Sequence, residues 1–180
     1  MRRRLLFGVP AVVLVAVATV AAVLLVRGPA INTGPFGSGG TAGLECTPGL
    51  RLILSPFAAY TNSGTSSATI TKVALYRPRG LRVLSIDVVP ETGTDSLGVT
   101  AYPTPLPSEI LPGVEWSSRH GLPAVIPPHT EKFTVAVGVE RTAQEGTAAG
   151  IDIFYEEAGQ QYHLRTATAY QVIAARSCPP

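Results

Sequence analysis

Three histidines, two cysteines and twelve acidic residues are the groups in this chain that could do chemistry. The histidines stand at His120, His129 and His163. No pair has the short spacing that sets two imidazoles on one metal ion, and there is no C-x2-C. Met1 is the only methionine, so a thioether-rich copper site has no donors. No metal and no cofactor are expected. No serine sits in a G-x-S-x-G elbow. Glu156 and Glu157 are adjacent, and neighbours on a strand point to opposite faces, so they cannot act on one bond. Glu109 and Glu115 lie six apart in an irregular stretch and read as surface acids rather than a glycosidase pair. The glycines between 37 and 40 follow no strand and open no helix, so they form no phosphate loop. No catalytic residue is assigned, and the chain reads as a non-enzyme.

Cys46 and Cys178 bracket a stretch of about one domain. Outside the cytoplasm two such thiols tend to oxidise, and a Cys46–Cys178 disulfide is expected. Cys178 stands in Ser-Cys-Pro-Pro at the chain end, a poor seat for a nucleophile. Trp116 is the only tryptophan. It either plugs one end of the domain or stands with Tyr102, Arg119 and His120 on a rigid surface that binds a protein partner.

The elements that must position these residues begin with residues 5–26, LLFGVPAVVLVAVATVAAVLLV. This run of 22 residues has no charge. As a helix it would be roughly 33 Å long, enough for a bilayer core. Arg2, Arg3 and Arg4 precede it, which favours a cytoplasmic N-terminus and an extracytoplasmic remainder. The expected partner of residues 5–26 is therefore the lipid bilayer, through one transmembrane helix. A signal peptide cleaved after Ala18, at Ala16-Val17-Ala18, is the competing reading. Residues 1–4 are then cytoplasmic, 27–45 a flexible Gly-rich linker with six glycines, and 46–180 the domain. Arg2, Arg3, Arg4 and Arg27 account for the basic excess. Residues 28–180 carry more acids than bases, which argues against a nucleic-acid surface.

From Cys46 onward the period is two. Strands are expected at 50–54, 68–76, 81–89, 97–102, 132–140, 151–156 and 161–174. In the second of these, Ile70, Val73 and Leu75 are expected in the core. The sixth and seventh should form an antiparallel hairpin around Glu157-Ala158-Gly159-Gln160. Residues 90–128 hold eight prolines and read as a long irregular excursion carrying Trp116. A small ligand or metal seated in that excursion is the alternative to a protein partner. About seven strands with no helix after residue 26 give an all-β, antiparallel β-sandwich of immunoglobulin-like type, with a barrel as the alternative.

The runs TNSGTSSATITKVAL (61–75) and IPPHTEKFTVAVGV (126–139) resemble bacterial immunoglobulin-like domains. The whole arrangement is similar to small, uncharacterised actinobacterial single-pass membrane proteins with one β domain. The resemblance implies an extracytoplasmic immunoglobulin-like fold and carries over no site residue. The buried Trp-and-disulfide core of antibody domains is not matched, because here the cysteines lie at the domain ends.

Overall fold

The computed structural model describes residues 31–38, 42–56, 59–93, 96–106, 108, 110–129 and 132–178. The apolar run 5–26 lies outside the described residues. Among the described residues no helix is long and apolar enough to cross a membrane.

Among the described residues fourteen strand segments follow in chain order: β1 (Ile31–Asn32), β2 (Phe36–Ser38), β3 (Gly43–Pro48), β4 (Arg51–Leu54), β5 (Tyr60–Asn62), β6 (Ala68–Tyr76), β7 (Leu81–Glu91), β8 (Thr100–Ala101), β9 (Ala124–Ile126), β10 (Lys132–Arg141), β11 (Glu145–Ala148), β12 (Gly150–Glu157), β13 (Gln160–Arg165) and β14 (Thr168–Ile173). The first sheet runs β1-β13-β12-β6-β9. The second runs β2-β5-β10-β4-β8, with β7 along the other side of β10. All pairs in these two sheets are antiparallel. A third, β11-β14-β3, holds the one parallel pairing described, β14 with β3.

The first two sheets face each other across one core. Ile70, Val73, Ile151, Ile153 and Tyr155 from one meet Leu54, Phe133, Val135, Val137 and Val139 from the other. The chain is thus an all-β sandwich of open sheets rather than a closed barrel. Strand β6 needs comment, because Ile70 and Val73 differ in parity yet both are buried. A bulge solves this: Lys72 pairs with Phe154 and Ile70 with Tyr155, so Thr71 is the extra residue. Thr71 and Lys72 both face solvent, and the buried set changes phase between them and Val73.

The expected hairpin is present, with Glu157 opposite Gln160. Its two turn residues, Ala158 and Gly159, have φ of 49° and 78°, the mirror-image turn that matches strand twist.

Three expectations change. Part of the stretch expected as a linker joins the sheets. Strand β1 pairs with β13, β2 with β5, and β3 with β14. The reason is Phe36, fully buried in the core and stacked on Tyr155 at 3.8 Å between ring centroids. Its backbone N–H donates to the Tyr155 hydroxyl at 3.2 Å. Second, the single strand expected over 161–174 is two strands in different sheets. Thr166 breaks it by exchanging backbone and side-chain hydrogen bonds with Ile151. Third, a further strand, β11, lies between the strands expected at 132–140 and 151–156, and it pairs with β14.

The Pro-rich excursion is a third layer rather than a free loop. Strand β10 is buried on both faces because this layer covers its outer side. Trp116, Val114 and Leu97 from the excursion pack on Ile53, Val89 and Ala136 from the sheet. Two crossings tie it to the free edge of β7. Val88 and His120 exchange backbone hydrogen bonds at 2.8 and 3.1 Å, and Glu115 N–H donates to Pro90 O at 2.9 Å. Pro90 itself lies within β7, opposite Phe133. It is tolerated because, like Val88 two residues earlier, it turns its backbone groups to the edge, where no ladder bond to β10 is lost.

Candidate functional site

The four residues expected to form a partner surface all belong to the Pro-rich layer, in different states of burial. Trp116 opens a short 3-10 turn, Trp116–Ser118, and is only 7% exposed. It is a packing residue of the layer rather than an exposed anchor, and its indole N–H is buried without a partner. Tyr102 is half-buried in the same cluster. Arg119 is exposed, and its guanidinium lies over the indole at 4.6 Å from the ring centroid. Its Nη1 also donates to Trp116 O at 3.1 Å. The cation is therefore held in place from two directions. His120 is exposed, with its backbone fixed to β7.

The other two histidines do not join it. His129 is exposed in a turn at φ 51°. His163 lies on the outer face of the first sheet, where its Nε2 donates to Asp152 Oδ1 at 2.9 Å. Asp152 is almost buried and also takes Arg165 Nε at 2.7 Å and Nη2 at 3.2 Å. Arg165 in turn covers the Tyr76 ring at 3.3 Å. Register explains the row: His163 and Lys72 both stand opposite Phe154. The imidazole stacks on that ring at 4.4 Å, and Lys72 Nζ sits 5.4 Å from it. Beside the row is a concavity of roughly 470 Å³, with Thr33, Gln161 and Glu156 on its walls. The aspartate orients the imidazole, and among the described residues no hydroxyl or thiol is hydrogen-bonded to the ring. Nor, among the described residues, do three His, Cys, Asp or Glu side chains gather where they could hold a metal ion.

Glu156 and Glu157 do face opposite ways. Glu156 is exposed, while Glu157 is buried and accepts the Ser66 N–H at 3.1 Å. Glu115 is exposed, and Glu109 lies outside the described residues.

Sequence reasoning missed Glu91. It ends β7, is 1% exposed, and packs under the Pro-rich layer. One carboxylate oxygen accepts Ser96 Oγ at 3.2 Å and Leu97 N–H at 3.4 Å; the other is buried without a partner. Burial pushes its pKa up to about 7, opposed by those two hydrogen bonds and by Lys132. An acid directly after Pro90 at a strand end carried no sequence signal that would separate it from the surface acids nearby.

Cys46 and Cys178 form a disulfide, with Cα atoms 6.0 Å apart. It joins β3 to the segment that follows β14.

The chain matches no family model and no curated protein. Among solved structures it is similar to the ASH/PapD-like domain 7 of human CEP192, at 13% identity. That match covers 81% of this chain and 92% of that one, with a TM-score of 0.36, too loose a likeness to carry fold or function across.

Proposed function

We propose that this protein is a single-pass membrane protein that presents a non-enzymatic, immunoglobulin-like sandwich outside the cytoplasm, for protein interaction or as an envelope-associated structural module. The observation that carries the reading is the Cys46–Cys178 disulfide, a bond that persists in oxidising compartments and is rare in the cytoplasm. Arg2–Arg4 ahead of the apolar run 5–26 supply the matching orientation. The partner surface on this reading is the exposed side of the Pro-rich layer. There Arg119 is fixed over Trp116, and His120 stands beside it. A preorganised guanidinium on a rigid layer loses little entropy on binding.

Two measurements test this. A reporter fused after Pro180 should be active only when exported; activity confined to the cytoplasm overturns the orientation. Crosslinked co-purification from membranes should recover a partner with the native chain and lose it with Arg119→Ala, which leaves the buried indole in place. Recovery unchanged by that substitution moves the interface elsewhere.

A further inference from the structure

The end of the sandwich where β6 meets β7, β10 meets β11 and β3 meets β4 is unusually basic. Arg51, Arg77, Arg79, Arg82, Arg141 and Arg176 all belong to the segments gathered there, and all but Arg141 are exposed. Hydrogen bonds show that these segments are contiguous: Arg141 N–H to Leu50 O at 2.8 Å, Thr142 N–H to Gly80 O at 2.9 Å, Arg79 N–H to Thr147 O at 2.8 Å and Ala174 N–H to Gln144 O at 3.0 Å. The carboxylates at this end are Glu45, Glu140 and Glu145. Glu140 alone is shared by two guanidiniums, Arg51 at 2.9 Å and Arg82, which hold its pKa below the usual carboxylate range. The end thus keeps a positive excess although residues 28–180 are net acidic. At its tip Leu50 is 56% exposed, an apolar residue next to Arg51, and its backbone carbonyl accepts the Arg141 N–H.

The chain also enters from this side. Strand β13 runs towards the arginine end, and β1 pairs antiparallel with it, Ile31 opposite Arg165. Ile31, the first described residue, therefore lies at the arginine end, and the described chain runs away from it. Only residues 27–30 separate Val26, the last of the apolar run, from Ile31. Even fully extended, that segment reaches no more than about 18 Å.

We propose that the arginine end docks on the surface of the bilayer that holds the chain, with its guanidiniums on anionic phospholipid headgroups and Leu50 in the interface. This rests on the membrane reading above. Given that reading, the short connection leaves this end no choice but to lie near the headgroups. Positive charge is attracted to anionic lipid within a Debye length, and an apolar tip drawn in by that attraction adds buried apolar area.

The test uses the full chain reconstituted into two kinds of vesicle: pure phosphatidylcholine, and equal parts phosphatidylcholine and phosphatidylglycerol. A polarity-sensitive fluorophore is placed on Leu50→Cys in one sample and on Val125→Cys in another. Val125 is equally exposed but lies on β9 at the far end of the first sheet. The expected result is a blue shift at position 50, in phosphatidylglycerol vesicles only. High salt, or the combination Arg77→Ser, Arg79→Ser and Arg176→Ser, should abolish it. Flotation with both vesicle types, resistant to carbonate, reports the anchor separately. Flotation with no lipid-specific shift at position 50, or an equal shift at 125, overturns the docking and leaves the anchor standing. Flotation on phosphatidylglycerol vesicles alone, with the shift present, removes the anchor and supports the docking. No flotation on either overturns both.

Discussion

The ring of Tyr102 rests on Gly138. A Cβ built on that glycine would come within 2.5 Å of the Tyr102 ring and of Ser85 Oγ. The Pro-rich layer thus reaches the backbone of β10 at a position that has no side chain to keep it off. Gly138→Ala should destabilise the domain by about 1–3 kcal/mol through overpacking. Tyr102→Ala in the same chain should recover part of that loss. Urea melts of the single and double variants give the coupling; strictly additive losses would show that the new methyl meets something other than the ring.

Glu91 makes stability depend on pH with an unusual sign. Its pKa rises from 4.5 in the unfolded chain to about 7 in the fold. Between those values the folded state holds a proton that the unfolded state has released. The contribution of this group is therefore fully present below about pH 4.5 and is lost as pH rises through 7. The shift corresponds to about 3 kcal/mol at most. Glu91→Gln keeps the shape and removes the titration, so its stability should be flatter across this window. Parallel curves for the native chain and the variant would refute the assignment.

Phe36 fastens the beginning of the described chain to the core. Phe36→Ala removes a stacked, fully buried ring and should cost about 3–5 kcal/mol. It should also open residues 31–42 to limited proteolysis before the rest unfolds. If cleavage there stays as slow as in the native chain, the strand is held by its backbone bonds alone.

How much of this was legible can be read from the same residues. Strand β6 is found at the expected 68–76 despite its bulge, and the β12–β13 hairpin follows from its Ala-Gly turn. Local rules suffice there because each strand has one wet face. The segment around Phe36 fails them. Its glycines give no period, and one aromatic residue supplies the anchoring. The outer face of β10 fails for a different reason. Thr134, Ala136 and Gly138 look like solvent-facing small residues, and only a distant layer makes them interior. Trp116 belongs to that same distant contact. Its burial over Ala136 depends on residues twenty positions apart, which no local pattern encodes. The arginine end is likewise scattered over three connections and the segment after β14, and becomes a patch only when the strands are assembled.

Replacing both Cys46 and Cys178 by Ser should lower stability by about 5 kcal/mol on the chain-entropy account of a loop this long. Thermal melts of the native chain with and without reductant should reproduce the loss. Equal melting temperatures would mean that the β3–β14 pairing already confines these ends.

That bond also decides what a protease can accomplish. The two cysteines are 132 positions apart, so nearly every loop of the sandwich lies between them. A single cut in the Pro-rich layer, in the Asn62–Ser66 turn or at the hairpin tip severs the backbone without releasing a piece. The nicked protein remains one covalent molecule, and its two fragments part only when the disulfide is reduced.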